Sequence, residues 1–325
     1  MDYQRCGKSG LLLPKLSFGL WYNFGEPDDP EIARKMLKFC WEQGITHFDL
    51  ANIYGPPKGE AERFFGKMLR EEFAGLRDRM ILSTKAGWPM WDGPYGDWGS
   101  RKHLVASLDQ SLQRMGLEYV DIFYHHRPDN NTPLEETMGA LDHIVRQGKA
   151  LYIGISSYNA EQSRQAFRIL RKLGTPCLIH QPLYNMFSRG AEKELFPLLE
   201  KEGVGCIPFS PLAQGLLSGR YLSGQVPSGS RAAKPHGYLK KQAVTDRKLD
   251  ILHRLDSIAK ARGETLASLS LAWILRQPAV SSVLLGASHA SQIKENLACL
   301  QKRGFSDLEL KEIDNALSGE TEGRG

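Results

Sequence analysis

The sequence predicts an α/β protein of the (β/α)8 TIM-barrel type, on three observations. Eight short apolar, β-rich runs recur along the chain, a segment of helical periodicity follows each of them, and no linker or shift in composition divides residues 1–325. Such alternation marks parallel strands joined by crossover helices. Eight units favour closure into a barrel over an open doubly wound sheet, which is the competing architecture. A chain of 325 residues is then expected to form one domain, because α/β barrels routinely reach this size around a single core.

In order, the expected strands are 15–20, 47–50, 80–84, 119–124, 150–155, 177–181, 203–209 and 281–285. Helical patterns lie near 31–43, 60–70, 101–115, 134–147, 160–172, 193–201, 247–276 and 289–299. The start of the fourth reads Thr132-Pro133-Leu134-Glu135, with Thr132 as N-cap, proline in the first turn and an acidic residue near the positive end of the helix dipole. Before the first strand, Gly7 and Gly10 punctuate short β-prone runs and suggest a hairpin closing the barrel bottom. After the seventh, residues 210–245 are rich in Gly, Ser and Pro and longer than an ordinary connection, which points to a functional or mobile loop. The end of the chain, 318–325, reads as frayed.

The net charge of +5 is modest and its Lys and Arg are scattered, which excludes the basic face of a nucleic-acid binder. Five widely spaced cysteines, Cys6, Cys40, Cys177, Cys206 and Cys299, show no Cys-x-x-Cys pair. They read as reduced core thiols, and no metal site is expected. No basic stretch followed by an apolar run opens the sequence, and no apolar run approaches the ~18 residues of a membrane helix. A cytoplasmic protein without membrane association is expected.

Barrels of this type place their chemistry at the C-terminal ends of the strands. There stand Asp49 and Tyr54 after the second strand, Lys85 after the third, and His125 and His126 after the fourth. These residue types suit carbonyl reduction, which needs a proton donor near the oxygen that becomes an alkoxide. A phenol is a weak acid unless a nearby cation favours its ionised form, a role open to Lys85, with Asp49 holding the ammonium. Strand alternation sends only one of His125 and His126 toward the site; spacing does not say which. A metal-dependent hydrolase using Asp49, His125 and His126 is a competing reading, weakened by the lack of a His-x-His pair after the first strand.

A Rossmann fingerprint is absent, so a dinucleotide would have to bind to the upper loops. Two stretches suit it: 210–220, whose small residues let backbone amides approach a pyrophosphate, and 286–296, where Ser288 precedes a helix bearing Gln292, Glu295 and Asn296. The aromatics Trp21, Tyr22, Trp88, Trp91 and Trp98 fall in loops that would wall a pocket. Arg127 and Arg101 are candidates for a phosphate group on the substrate.

The strings GITHFDLANIYG (44–55), STKAGW (83–88), GLEYVDIFYHHRPD (116–129) and GKALYIGISSY (148–158) resemble the signature blocks of the aldo-keto reductases. HQPLYN (180–185), PFSPLAQGLLSGRY (208–221), LLGASHASQIKEN (284–296) and the loop GPYGDWGSRK (93–102) are similar to the branch containing potassium-channel β subunits and bacterial glyceraldehyde-phosphate reductases. The resemblance implies a catalytic set of Asp49, Tyr54, Lys85 and His126, and so selects His126 over His125. It implies NADPH as cofactor, with Phe209 stacked on the nicotinamide and Ser156 and Gln181 on its carboxamide. Ser210, Leu212, Gly215 and Ser218 would hold the pyrophosphate, and Arg220, Arg231, Ser288 and Gln292 the 2′-phosphate; many relatives carry Arg where Gln292 stands. Trp21, Asp49, Gly286, Glu295 and Asn296 complete the implied cofactor set. The implied substrate is a small carbonyl compound, such as L-glyceraldehyde 3-phosphate or methylglyoxal, meeting Trp21, Tyr22, Tyr54, Trp88, His126 and Arg127. Homo-oligomers, tetramers or octamers, are also implied. A non-catalytic regulatory subunit of the channel type is the alternative, and His rather than Asn at 126 argues against it.

Overall fold

The computed structural model describes residues 1–225 and 244–318. A two-stranded hairpin, β1 (Tyr3–Arg5) and β2 (Leu12–Pro14), precedes eight parallel strands: β3 (Leu16–Gly19), β4 (His47–Asp49), β5 (Ile81–Ala86), β6 (Val120–His125), β7 (Ala150–Ser156), β8 (Ile179–Gln181), β9 (Gly205–Cys206) and β10 (Val283–Leu285). The helices are α1 (Pro30–Glu42), α2 (Glu60–Glu71), α3 (Arg101–Met115), α4 (Leu134–Arg146), α5 (Ala160–Leu173), α6 (Leu195–Glu202), α7 (Asp246–Ala261), α8 (Leu266–Leu275), α9 (Ala290–Leu297) and α10 (Asp307–Leu317).

The sheet order is β10-β3-β4-β5-β6-β7-β8-β9. Its two ends meet, because the Ser281 amide donates to the Cys206 carbonyl at 2.8 Å and the Leu284 amide to the Pro208 carbonyl at 3.1 Å. The open doubly wound alternative is thereby excluded. Strand β9 is shorter than its expected 203–209 because Pro208 brings no N–H to the ladder. Pairing resumes beyond it, where the Phe209 amide donates to the Pro182 carbonyl at 3.0 Å. Inside the barrel Cys6, Leu13, Ile122, Tyr124, Leu178, Ile179, Ile207 and Leu284 form one buried cluster. All five cysteines are buried and unpaired.

The hairpin plugs the bottom. Its turn lies against the chain leading into β9: the Lys8 amide donates to the Gly203 carbonyl at 2.9 Å, and Gly7 adopts φ +56° with no room for a side chain. A Cβ there would stand 2.1 Å from the Gly203 carbonyl oxygen. Gly7→Ala is therefore expected to lower stability by at least about 1–2 kcal/mol from its left-handed backbone alone, with the clash adding to it. Urea unfolding would read this as a lower midpoint, and an unchanged midpoint would show the hairpin to be dispensable.

Three elements differ from their expected form. Residues 247–276 make two helices, broken where Gly263 takes φ +70° and Thr265 caps α8 by accepting from the Ser268 amide at 3.1 Å. Thr132 does not cap α4; its hydroxyl donates to Asp129 at 2.6 Å and Pro133 occupies the cap position. Helix α10 follows the last expected helix and is nucleated by a reciprocal capping box between Ser306 and Glu309.

Among the described residues no helix is long and apolar enough to cross a membrane.

Candidate active site

Strand register builds the centre of the site. Asp49 ends β4 and Lys85 lies on the neighbouring β5, both fully buried and both facing the barrel interior. Lys85 Nζ donates to Asp49 Oδ2, to the Leu50 carbonyl at 2.7 Å and to the Tyr54 hydroxyl at 3.3 Å. An ammonium has three hydrogens and no lone pair, so all of its donors are engaged. The Tyr54 oxygen thus accepts from Lys85, and its own proton is left for another acceptor.

His126 stands at the mouth, its ring 6.0 Å from that of Tyr54 and 6.3 Å from that of Trp88, edge-on to both. Its Nδ1 has no hydrogen-bond partner among the described residues. Its neighbour turns the other way, His125 Nδ1 pairing with the Tyr158 hydroxyl at 2.6 Å. Asp49, His125 and His126 are therefore not gathered on one point, and among the described residues no group of three potential metal ligands is assembled.

The electrostatics differ from the simple expectation for a phenol beside a cation. Burial, and then the Asp49 carboxylate, push the Tyr54 hydroxyl well above the usual phenol range. Burial also lowers Lys85, against the opposing pull of Asp49. Desolvation and then the Lys85 charge hold His126 well below the usual histidine value. The site thus contains a protonated phenol and a neutral imidazole side by side.

Around this centre, Ser156 and Gln181 end the adjacent strands β7 and β8. Ser156 Oγ donates to the Gln181 carbonyl at 2.9 Å, and Gln181 Nε2 reaches Asp49 Oδ1 at 3.5 Å. Half-buried Phe209 leaves β9 toward a turn in which Ser210, Ala213, Gln214 and Gly215 all have positive φ. That turn is tied down: Ser210 Oγ accepts from Gln214 at 2.9 Å, and Ser218 Oγ donates to the Gly215 carbonyl at 2.6 Å. Leu212 opens the following short helix, and Arg220 is exposed beyond it. Arg231 lies outside the described residues.

After β10, Gly286 is exposed, and the Ser288 amide and hydroxyl both donate to Gln292 Oε1, at 2.9 and 3.3 Å. On α9 Glu295 is exposed whereas Asn296 is buried, so the two do not share a face. Trp21 and Tyr22 pack against each other at 4.5 Å. Arg127 is sandwiched, its guanidinium 3.9 Å from the Trp88 ring and 3.6 Å from the Trp98 ring. Its Nε donates to the Gly87 carbonyl at 2.7 Å and its Nη2 to both oxygens of Asp97. Trp91 instead packs on His103 of α3 at 4.9 Å, and Arg101 is spent on the Gly139 carbonyl of α4 at 3.3 Å.

This geometry, an Asp–Lys–Tyr chain with a histidine at the top of an eight-stranded barrel, agrees with comparisons to known proteins. A profile of the aldo/keto reductase family matches residues 15–318. The chain belongs to that family. The L-glyceraldehyde 3-phosphate reductase of Escherichia coli (strain K12) is 53% identical over 323 residues, covering 98% of this chain and 93% of the relative. A probable voltage-gated potassium channel subunit beta of Arabidopsis thaliana is 40% identical over 300 residues, covering 91% and 90%. Its counterpart in Oryza sativa subsp. japonica is 38% identical over 303 residues, covering 92% and 91%. As a member of this family the protein is an oxidoreductase.

Several residues that shape the site stand outside the expected site set, although Asn185, His47 and Ser83 lie within the family-like strings. Asn185 Nδ2 donates to the Ser210 carbonyl at 3.0 Å and so fixes the turn after β9. Asn23 does the same between the loop after β3 and the Ala287 carbonyl, at 2.9 Å. His47 and Ser83 stand two residues before Asp49 and Lys85, and the two-residue period of a strand is the signal that places them on the same inward face.

Proposed function

We propose that this protein reduces small aldehydes and ketones with NADPH, with Tyr54 as the proton donor, and that its substrates include L-glyceraldehyde 3-phosphate and methylglyoxal-type aldehydes. The observation that carries this reading is the saturation of Lys85. With every ammonium hydrogen committed, the Tyr54 hydroxyl offers its proton only outward, toward the mouth shared with His126.

The residues present fit a nicotinamide dinucleotide. Ser156 and Gln181 supply polar groups beside Asp49, and Phe209 supplies a flat face. Leu212 and Ala213 form a right-handed then left-handed pair, φ −99° and +47°, the conformation that makes a concave anion-binding nest of backbone amides. In this reading Ser218, Arg220, Ser288 and Gln292 take the phosphate end, and Trp21, Gly286 and Glu295 line its course, whereas Asn296 is buried on another face of α9; Arg220 is the reason for preferring NADPH to NADH. The cofactor, when bound, supplies the hydride.

The chain's own groups do the rest. Tyr54 passes its proton to the developing alkoxide, Lys85 stabilises the phenolate left behind, and Asp49 keeps the ammonium in place. Neutral His126 donates its N–H to the carbonyl oxygen without adding a charge. Trp21, Tyr22 and Trp88 wall the pocket. Arg127 Nη1, which has no protein acceptor among the described residues, receives a substrate phosphate. The 53% identity to a reductase named for L-glyceraldehyde 3-phosphate supports that substrate class. The same reading places the protein in the cytoplasm as a tetramer or octamer.

The test is the consumption of NADPH, with NADH in parallel, by methylglyoxal and by L-glyceraldehyde 3-phosphate. Turnover of both aldehydes with NADPH is expected. Binding of NADPH without turnover of either aldehyde would favour the regulatory-subunit alternative suggested by the channel-subunit relatives. Failure to bind either dinucleotide would overturn the reading.

A further inference from the structure

Beneath the Asp49–Lys85 pair lies a row of buried polar side chains with no part in the chemistry above. Ser282 Oγ is 2.7 Å from Ser17 Oγ, and Ser17 Oγ is 2.9 Å from His47 Nδ1. His47 Nε2 is 3.0 Å from Ser83 Oγ, which lies 2.6 Å from Asp49 Oδ1. All five residues have no solvent exposure. They cross the barrel interior from Ser282, just before β10, through β3 and β4 to β5.

The direction of every bond follows from proton counting. A carboxylate only accepts and a hydroxyl has one proton to give. Ser83 therefore spends its proton on Asp49, and must accept from His47. That requires the proton of a neutral imidazole on Nε2, which leaves Nδ1 as an acceptor. Ser17 accordingly donates to Nδ1 and must accept from Ser282. Four consecutive hydrogen bonds point the same way, toward the carboxylate that holds Lys85.

We propose that His47 is a positioning residue, fixed as the Nε2–H tautomer, whose hydrogen bond to Ser83 orients the Asp49 carboxylate and through it the Lys85–Tyr54 pair. This rests on the reading of Tyr54 as proton donor only for its kinetic consequence. The polarity of the chain rests on the hydrogen-bond geometry together with a neutral His47 ring. Aligned hydrogen bonds of this kind reinforce one another in a low-dielectric interior. An apolar residue at 47 leaves Ser83 without its donor and Ser17 without its acceptor, and the carboxylate loses its fixed orientation. The ring is well placed to remain neutral: burial holds His47 at about 4, against the Asp49 charge and with that of Lys85.

The first measurement is long-range ¹H–¹⁵N correlation of histidine-labelled native protein at neutral pH, with the His47 signal assigned by its loss in His47→Gln. A protonated Nε2 and a bare Nδ1 are expected. A protonated Nδ1, or an imidazolium, overturns the proposal, and this result does not depend on turnover. The second is steady-state reduction of methylglyoxal by native protein, His47→Leu, His47→Gln and Ser83→Ala. His47→Leu is expected to lower kcat about tenfold, the worth of one hydrogen bond in a charged network, with the KM for NADPH unchanged. His47→Gln, which keeps a donor toward Ser83, recovers most of the loss, and adding His47→Leu to Ser83→Ala costs nothing further, because His47 acts through Ser83. A folded His47→Leu with native kcat overturns the proposal. If native protein reduces no carbonyl, the function assigned to the site fails, and the tautomer still decides the chain.

Discussion

Tyr54→Phe is expected to lower the rate of carbonyl reduction by about 10²–10⁴-fold, the usual contribution of a positioned general acid, while NADPH still binds. The ring itself survives the change, so its edge-on contact with His126 at 6.0 Å and the wall it forms are retained. What disappears is one oxygen, which accepts from Lys85 and holds a proton not committed to it. Burial and Asp49 keep that proton on the phenol in the resting site. It becomes transferable only when negative charge develops on the substrate oxygen beside it, with Lys85 there to stabilise the phenolate that results. His126, held neutral beside it, does not replace the lost acid at neutral pH. Lys85 in the mutant keeps two of its three acceptors, so the fold should survive at a cost of about 1–3 kcal/mol for the unpaired donor. Pre-steady-state and steady-state reduction, with cofactor binding measured separately, would check this. Native turnover in a folded Tyr54→Phe protein would remove Tyr54 from the mechanism.

The parts of this architecture that were legible in the sequence are those encoded by strong local periodicity. Parallel strands buried on both faces read as continuous apolar runs, and each of the eight was placed within a few residues. Asp49 and Lys85 stood out because a charged residue at the end of such a run is conspicuous. The misplaced features depend on competition between neighbours. Thr132 has the side chain of a cap, but its hydroxyl turns to donate to Asp129 and the helix starts one residue later, with Pro133 at the cap position. Gly263 breaks a long amphipathic pattern that hydrophobic spacing alone reads as continuous, because α8 is buried on every side and leaves no polar stripe to mark its start. Strand alternation alone leaves His125 and His126 open and the family resemblance selects His126; the partner Tyr158 then shows that His125 is the ring turned away from the mouth. Arg127 was marked by its charge, yet sequence spacing does not reveal that two tryptophans and Asp97 already hold most of it.

The same burial of histidines sets the acid limit of the fold. His47 and His180 are held at about 4 and His125 at about 3, in each case because burial disfavours the imidazolium. Opposing contributions come from Asp49 at His47, Asp129 at His125 and the Tyr158 carbonyl at His180, and none restores an ordinary value. Above about pH 6.5 these rings are neutral in both folded and unfolded chains and contribute no pH dependence. Below it the unfolded chain takes up protons that these three folded rings refuse, and His126 and His103, also lowered by burial, act in the same direction, so stability falls as the pH falls, until the folded rings also titrate near 4. Each group contributes about 1.4 kcal/mol per pH unit, which gives a slope approaching about 4 kcal/mol per unit for the three. Against a typical stability of about 5–15 kcal/mol, the barrel is expected to unfold between about pH 5 and pH 4, as followed by circular dichroism. His180→Asn, which removes one titration and keeps a donor for the Tyr158 carbonyl, should carry the midpoint to lower pH. A midpoint near pH 3 that is indifferent to His180→Asn would show that carboxylates set the acid limit instead. That outcome would also mean that the buried imidazoles accept protons in place, and His47 would then lose the neutral form on which a one-way chain to Asp49 depends.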